Sequence, residues 1–414
     1  MFRVLAATYR DAFAGLSRPV WLISVATLVN RSGTMVLPFL TLFLTSERGF
    51  TTTEAGQTLA LYGIGGIAGS YLGGWLSDLW PPRRVMEVSL LLTGLGFLAL
   101  GYMEARWSIL AMMVALSIVG EAFRPACSAA LVAGTGPGER VRALALNRLA
   151  VNMGMTLGPA VGGFLAARNY SWLFRVDGVT CMAAALFLWI ALRREPLVAV
   201  QPAVATEGMV ADRSPWRDGP FLLAMLMVCL LASVTFQVIS TYPLTLRDLY
   251  KFSEARIGLV LAINTLVIVL FEMVIVHALE RRDPLRVVAV GSFLFCLGFG
   301  LLPFGVAGGF AYVAFTVVIW SIGEMLTLPI LAGVVANRAG EKSRGRYLAL
   351  LTIAFEGALV SSPLIGTWVY QAYGPRTLWF GCIWIGVLLL GGFWALSGVM
   401  KPSPPAPLPQ AGEG

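Results

Sequence analysis

Long apolar runs alternate with short polar segments along almost the whole chain. A helix needs about 20 apolar residues to cross the hydrocarbon core of a bilayer, and twelve runs approach or exceed that length. Because backbone groups in lipid must be hydrogen-bonded within their own segment, each run predicts a membrane-spanning helix, even where it contains Gly or Pro. Spans 1 to 12 are predicted at residues 20–45, 56–77, 85–103, 107–131, 145–166, 172–192, 219–243, 256–279, 286–306, 308–335, 346–370 and 374–398.

Basic residues concentrate in every second polar segment. With both chain ends placed inside, 19 of the 30 Lys and Arg residues fall in the inner segments and 8 lie toward the outer side. The positive-inside rule favours this orientation. We therefore expect a multi-pass protein of the bacterial cytoplasmic (inner) membrane with both termini in the cytoplasm.

Composition excludes several classes of protein. Apolar types make up 57% of the chain, charged residues only 13%, and the mean hydropathy is +0.78. Ordinary soluble domains carry about 25% charged residues, so a soluble enzyme or a disordered scaffold is disfavoured. The net charge of +8 comes from loop residues, which predicts a lipid bilayer and no nucleic acid as partner. With one histidine, His277, and five cysteines inside apolar runs, we expect no metal site, no cofactor and no enzymatic activity.

The longest polar break divides the chain into two halves of six spans. It covers residues 193–218 and has no periodic apolar pattern, so we interpret it as a cytoplasmic linker. The predicted fold is an all-α integral membrane protein of two pseudo-symmetric six-helix bundles. Its expected divisions are the N-terminal bundle at 1–192, the linker at 193–218, the C-terminal bundle at 219–398 and a Pro-rich disordered tail at 399–414.

An internal repeat relates the two halves. The segment Ser117–Glu121 in span 4 resembles Ser321–Glu324 in span 10, and the two glutamates are 203 positions apart. Three further pairs of short motifs recur in the same order at nearly the same offset. Because six is an even number, the two copies share one orientation in the membrane. Such parallel repeats predict a binding site between the halves, near the bilayer midplane.

Seven ionisable residues lie well inside the predicted spans. A charged side chain at the centre of a membrane helix costs roughly 2.5–3.5 kcal/mol on the insertion scale, so each is a candidate for function. Three are basic and four acidic, which leaves one carboxylate in excess if the others pair. They are Arg31, Glu121, Arg124, Arg148, Glu272, Glu324 and Glu356.

Polar stripes at helical spacing run along four spans. Arg31 belongs to the stripe on span 1, Glu121 and Arg124 to span 4, Gln237 to span 7 and Glu324 to span 10. These are the first and fourth spans of each half. We therefore expect the four stripes to line a shared, water-filled cavity.

Structural explanations remain open for several of these residues. Glu121 and Arg124, three positions apart, could simply neutralise each other within a bundle. Glu272 and Glu356 are equally compatible with structural and functional roles. Asp177 lies nearer the end of its span and is expected to be interfacial.

Two motifs carry a resemblance to a known family. The first follows span 2 and reads GWLSDLWPPRR from Gly74 to Arg84. The second reads GMTLGPAVGG from Gly154 to Gly163 and lies on span 5. Together with the twelve spans in two halves, they make the chain resemble the major facilitator superfamily, and more narrowly its drug:proton antiporters.

The first motif is similar to the family signature G-x-L-a-D-R-x-G-R-R-R. Gly74, Leu76, Asp78, Arg83 and Arg84 match. We expect Gly74 to let span 2 approach a neighbouring helix closely. The resemblance implies that Asp78 meets the N-terminal end of span 11 and latches the cytoplasmic side in the outward-facing state. The chain departs from the signature at Leu79, where the signature has an arginine, and at Pro81-Pro82.

The second motif fully matches G-x-x-x-G-P-x-x-G-G, a pattern associated with exporters in this superfamily. Gly154, Gly158, Gly162 and Gly163 are small enough for close helix packing, and Pro159 can bend the span. The alternative explanation is generic packing of small residues. The resemblance assigns both motifs to conformational gating.

We therefore expect a monomeric secondary transporter that exports small lipophilic or drug-like solutes in exchange for protons. The chain contains no ATP-binding G-x-x-x-x-G-K-[ST] loop, so the proton gradient is the expected energy source. Glu324 and Glu121 are expected to bind protons or cations, while Arg31 and Arg124 tune them. The full set of candidate substrate- and proton-binding residues is Arg31, Glu121, Arg124, Gln237, Trp320, Glu324 and Glu356.

Two other functions fit the same chain. An uptake permease for a sugar, amino acid or organic anion would use Arg31 and Arg124 as anion ligands. A non-transporting receptor or assembly subunit would show no substrate-dependent proton flux, but the chain has no sizeable soluble domain to support that role.

Overall fold

The computed structural model describes residues 15–135, 139–193, 215–279, 282–338 and 344–400. These residues form helices and connecting turns, with no strand among them. Within them, nine helical stretches are long and apolar enough to cross a membrane by length and composition. Most of the predicted linker (194–214) and tail (401–414) lies outside the described residues.

The helices follow one another in the predicted order of twelve spans, which confirms the fold class. The helices of spans 2 and 3 are not among the nine stretches because of their glycines or charges. One stretch, Arg346–Val399, contains both span 11 and span 12, so the total is twelve. The observed bounds are Arg18–Ser32 and Val36–Ser46 (span 1), Thr52–Leu79 (2), Pro82–Leu100 (3), Arg106–Glu121 and Phe123–Ala133 (4), Arg140–Ala166 (5), Ser171–Ala191 (6), Gly219–Thr235, Phe236–Ile239 and Thr241–Asp248 (7), Glu254–Leu279 (8), Pro284–Gly300 (9), Gly309–Met325 and Leu328–Arg338 (10), and Arg344–Val399 (11 and 12).

Spans 11 and 12 turn into each other at Gly374. Its φ of 83° lies in the left-handed region, where a side chain would be strained, and Pro375 follows it. The backbone is not helical at this residue, so spans 11 and 12 are two separate helices.

Spans 1, 4, 7 and 10 are each interrupted near the middle, whereas the other described spans are not. Each interruption lies at a carbonyl group four residues before a proline. Because proline has no N–H, that carbonyl cannot receive its usual helical hydrogen bond. The carbonyl and proline pairs are Thr34 and Pro38, Glu121 and Pro125, Ile239 and Pro243, and Met325 and Pro329.

Hydrogen bonds at one face tie neighbouring spans together within each half. In the first half, the Ser17 hydroxyl donates to the Gly134 carbonyl at 2.7 Å, joining the start of span 1 to the end of span 4. In the second half, Arg338 makes two bonds to Asp218, at 2.7 and 2.8 Å, joining the equivalent spans 10 and 7. We call this face, where the described chain begins and ends, the proximal face, and the opposite one the distal face.

Asp218 is expected to stabilise the proximal face of the second half in a pH-dependent way. Burial raises the pKa of its carboxyl, but hydrogen bonds from Arg338 and the Phe221 amide outweigh burial and hold the pKa below its usual range. A lowered pKa stabilises the fold above the unfolded-state value of about 3.9, and that stability is lost as the pH falls through the lower folded value.

Asp218→Asn should therefore lower the thermal unfolding midpoint in detergent at neutral pH, by the equivalent of about 1 kcal/mol after solvent screening. The difference from wild type should shrink as the pH falls below about 4. Asp283→Asn is the matched control, because Asp283 caps span 9 but its carboxylate is 3.7 Å from the exposed Arg286. Equal losses for the two variants at neutral pH would contradict the assignment.

Candidate functional site

The interruptions in spans 4 and 10 place two carboxylates near the middle of the molecule. Glu121 is the last residue of the first helix of span 4, and Glu324 is the last but one in the first helix of span 10. The helix resumes within three residues in both cases. The repeated sequence therefore gives the two halves equivalent carboxylates beside equivalent breaks.

Arg124 connects Glu121 to the other half. Its guanidinium lies 3.4 Å from the Glu121 carboxylate and 3.9 Å from that of Glu356 on span 11. The Arg124 side chain is 59% exposed, whereas the two carboxylates are 20% and 21% exposed. Glu121 and Arg124 are thus not an isolated internal pair, since the arginine is shared between two acidic groups across the interface.

Glu324 is held by neutral groups. The Asn264 side-chain amide on span 8 donates to the Glu324 carboxylate and to the Ser321 hydroxyl, at 3.0 Å each. Nearby, Arg148 on span 5 pairs with Glu272 on span 8 at 2.6 Å, which joins the two halves. Among the described residues no basic side chain pairs with Glu324, whereas Glu121, Glu272 and Glu356 each lie within 4 Å of an arginine.

A small cavity lies inside the first half. It has a volume of about 50 Å³, and Arg31 and Glu121 both line it. The Nε atom of Arg31 is buried there without a hydrogen-bond partner in the described structure. Arg31 and Glu121 therefore share one polar space, but no residue of span 7 or 10 lines it, so the cavity predicted between the four stripes stays a prediction.

Gln237 does not lie in this group of charges. It is 5% exposed, and its amide nitrogen donates to the Ser362 hydroxyl at 2.9 Å while its oxygen accepts from Thr241 at 2.6 Å. These bonds fasten the break in span 7 to span 11. In this conformation Gln237 is a packing residue between spans, which differs from the expected cavity-lining role.

Trp320 also differs from expectation. It is 2% exposed and stacks on Phe299, with ring centroids 5.0 Å apart, next to Phe295 and Tyr242. Its large apolar ring is accommodated within the core of the second half. It is not presented to a solute in this conformation.

The second motif packs mainly against the break in span 1. A Cβ atom at Gly158 would lie 3.0 Å from the Thr34 carbonyl oxygen, and one at Gly162 would lie 2.9 Å from the Cβ of Met35. A Cβ at Gly154 would likewise lie within 3 Å of Arg31 and Ser32. The remaining glycine, Gly163, faces span 8, where a Cβ would lie 3.0 Å from the Gly258 Cα. Pro159 lies within a continuous helix.

Span 2 packs closely against its neighbour through glycines that precede the first motif. A Cβ at Gly74 would meet nothing within 4 Å. Span 2 instead approaches span 4 at Gly69 and Gly73, where a Cβ would lie 2.8 Å from the Ile118 Cα and 2.5 Å from the Ala122 Cα. In this conformation the side of span 2 that faces span 4 is one residue away from Gly74, so the close approach expected at Gly74 stays a prediction.

The charged residues of the first motif lie at the proximal end of spans 2 and 3. Asp78 and Arg84 are exposed, and Arg83 pairs with Glu87 and donates to the Leu192 carbonyl, both at 2.6 Å. The contact of Asp78 with span 11 remains a prediction for a different conformation.

The two halves meet at the distal face. Thr53 donates to Gln371 at 2.7 Å, and the Tyr170 hydroxyl donates to Glu254 at 2.8 Å. The backbones of spans 5 and 8 also touch there, at Gly163 and Gly258. The distal face is thus closed, while Arg124 and Asp78 are exposed.

Asp177 is the clearest residue whose position the sequence did not predict. It is 1% exposed, not interfacial, and its carboxylate accepts hydrogen bonds from the Met35 and Val36 amides on span 1. An aspartate inside an apolar span is itself a signal. Asn264, a polar residue in an otherwise apolar part of span 8, gives a weaker signal of the same kind.

Two repeated six-span bundles, closed against each other at one face around central charges, define a membrane transporter rather than an enzyme. The chain belongs to the Major Facilitator Superfamily, whose sequence model matches residues 21–247 and 238–414. The resemblance of the two motifs to this family is thereby confirmed.

Similar proteins transport different solutes. The chain is 24% identical to the Na(+), Li(+), K(+)/H(+) antiporter of Planococcus maritimus over 407 residues, covering 89% of this chain and 91% of that one. It is 24% identical to the class C tetracycline resistance protein of Escherichia coli, covering 80% and 83% of the two chains. The crystal structure of the nucleoside transporter NupG superposes with a TM-score of 0.77 at 12% identity, covering 92% and 100%.

Proposed function

We propose that this protein exports small lipophilic or drug-like solutes across the bacterial cytoplasmic membrane in exchange for protons. The observation that carries the proposal is the placement of Glu324 beside the break in span 10, held by Asn264 and without a basic partner among the described residues. The names of the tetracycline resistance protein and the cation/proton antiporter agree with export and with proton exchange.

The cycle follows from the requirement that proton and solute occupy the site in turn. A deprotonated Glu324 attracts a cationic or polarised solute, whereas a protonated one does not, because the charge is gone. Entry of one proton down the membrane potential releases about 2.3 kcal/mol per 100 mV, which can drive solute export. No cofactor is required, and each monomer holds a complete site.

Arg124 and Arg31 supply the charge balance in this scheme. Arg124 lies between Glu121 and Glu356 and can shift toward either when one of them binds a proton or a cation. Because Glu356 belongs to the second half, that shift changes the attraction between halves. With both termini in the cytoplasm, as proposed from the loop charges, the open proximal face is the one that loads solute for export.

An uptake permease is the second candidate. The unpartnered Nε of Arg31 in the cavity of the first half favours it, since a free guanidinium donor suits an anionic solute. Under this alternative, solute and proton would enter together.

Proton-flux measurements on purified protein in proteoliposomes test the proposal. A pH-sensitive dye inside the vesicles reports proton movement while lipophilic cations, neutral drugs and organic anions are supplied in turn. Export by exchange predicts opposite movement of protons and a lipophilic solute. Joint movement of protons and an organic anion would establish uptake, and no solute-linked proton flux with any compound would contradict both.

A further inference from the structure

The break in span 1 is stabilised by a side chain from another span. The second helix of span 1 begins at Val36, and the N-terminal amides of a helix have no partners within that helix. Asp177 on span 6 supplies them: its carboxylate lies 3.0 Å from the Met35 nitrogen and 2.8 Å from the Val36 nitrogen. A negative charge at this position also interacts favourably with the helix dipole.

The carboxylate of Asp177 lacks a basic partner. It is 1% exposed and forms no ion pair with any described residue. A buried carboxylate without a counter-ion is costly in its charged form, and the two amide bonds offset part of that cost. Protonation would remove the cost of burial but would weaken the bonds to the amides, so the two protonation states favour different geometries at the break.

Asp177 also has a route to water. It lines the cavity of about 50 Å³ in the first half, which is large enough for water molecules. The other titratable residues lining this cavity are Arg31 on span 1, Tyr62 on span 2, Glu121 on span 4 and Cys181 on span 6. Span 3 contributes polar but non-titratable residues, among them Thr93, whose buried hydroxyl has no described partner. The cavity thus joins Asp177 to Glu121 at the interface between halves.

Packing at the break makes it sensitive to small changes. Gly33 has no room for a Cβ because of Thr180 on span 6, and Gly158 and Gly162 on span 5 touch residues 34 and 35. A change in the angle between the two parts of span 1 must therefore move Arg31, three residues before Thr34, or displace span 5.

We propose that Asp177 is a proton-binding positioning residue that sets the geometry of the break in span 1. A proton delivered through the cavity water forms an O–H bond on the carboxylate and weakens its hydrogen bond with Val36. Loss of this bond exposes the Val36 amide at the break. The angle between the two parts of span 1 then changes, which shifts Arg31 relative to Glu121. The inference rests on the proposed proton exchange for its role in transport, but the protonation itself is separately measurable.

Amide hydrogen exchange of residues 33–37 tests the proposal without any solute. In wild-type protein we expect the protection of the Met35 and Val36 amides, corrected for intrinsic exchange, to fall about tenfold on going from alkaline to acidic pH, the change expected for loss of one charge-assisted bond. In Asp177→Asn, which keeps an acceptor oxygen but cannot be protonated in this range, protection should not depend on pH. Equal protection at both pH values in wild type would overturn the proposal.

Infrared difference spectroscopy between the same pH values provides a second readout. The protonated-carboxyl band of wild type should lose a component in Asp177→Asn and in Asp177→Ser, and keep it in Glu104→Gln, which removes an exposed loop carboxylate. If all variants retain the wild-type band, Asp177 does not change its protonation state between these pH values and the proposal is wrong. Because neither measurement involves a solute, failure of the proposed export would leave this result intact, and failure here would leave the role of Glu324 untouched.

Discussion

Glu324→Gln is expected to abolish proton-linked transport in proteoliposomes. The glutamine keeps the size and an acceptor for the Asn264 amide at 3.0 Å, so the fold should persist, but it cannot carry a proton. Solute-driven proton flux should fall by more than about tenfold, corresponding to a loss of at least about 1.4 kcal/mol of coupling free energy.

Solute exchange at equal pH should survive in the same variant. Counterflow of labelled against unlabelled solute needs no net proton movement, so it separates lost coupling from lost folding. Glu104→Gln is the matched control, because it removes a carboxylate exposed in the loop between spans 3 and 4, and it should retain proton flux. If Glu324→Gln retains full proton-coupled transport, Glu324 does not carry the exchanged proton.

Gly258→Val is expected to block transport by preventing closure of the distal face. A Cβ at Gly258 would lie 3.0 Å from the Gly163 Cα and closer still to the Pro159 carbonyl, both backbone atoms that cannot move aside. Spans 5 and 8 would be forced apart, and the state open at the proximal face would lose stability. Overpacking of this kind typically costs about 1–3 kcal/mol, enough to shift a two-state equilibrium by about tenfold or more.

The shift is measured as a distance change between spectroscopic labels on the two halves at the distal face, alongside solute counterflow. We expect longer distances and little exchange in Gly258→Val. Gly391→Val is the control, because a Cβ there meets nothing within 4 Å and the residue is exposed on span 12. If the label distances in Gly258→Val equal those in wild type, the contact between spans 5 and 8 does not determine closure of the distal face.

Much of the architecture could be predicted because lipid imposes a simple rule on the sequence. Apolar runs long enough to cross a bilayer must be helices, and the spacing of Glu121 and Glu324 already related the halves. The breaks in spans 1, 4, 7 and 10 also have a sequence signal, the prolines that follow them. A proline alone does not predict a break, however, because Pro159 lies in an unbroken helix.

The positions of individual polar side chains were less predictable, because helical spacing indicates a shared face but not which neighbour that face meets. Gln237 lies in a predicted stripe and Trp320 is a candidate substrate-binding residue, yet Ser362 and Phe299 enclose them. Asp177 contacts a helix start more than 140 positions away in the chain, a pairing that requires the bundle to be known.

The account as a whole depends on whether the mid-span carboxylates border water between the halves. Glu121→Cys, Glu324→Cys and Leu388→Cys test this with a charged, membrane-impermeant thiol reagent, using wild type, whose described cysteines are buried or half-buried, as the blank. Leu388 is an exposed apolar residue near the middle of span 12. We predict that the first two react from the proximal face and that Leu388→Cys reacts only with a lipophilic reagent. If Glu121→Cys and Glu324→Cys behave like Leu388→Cys, the carboxylates face lipid and the central crevice does not exist.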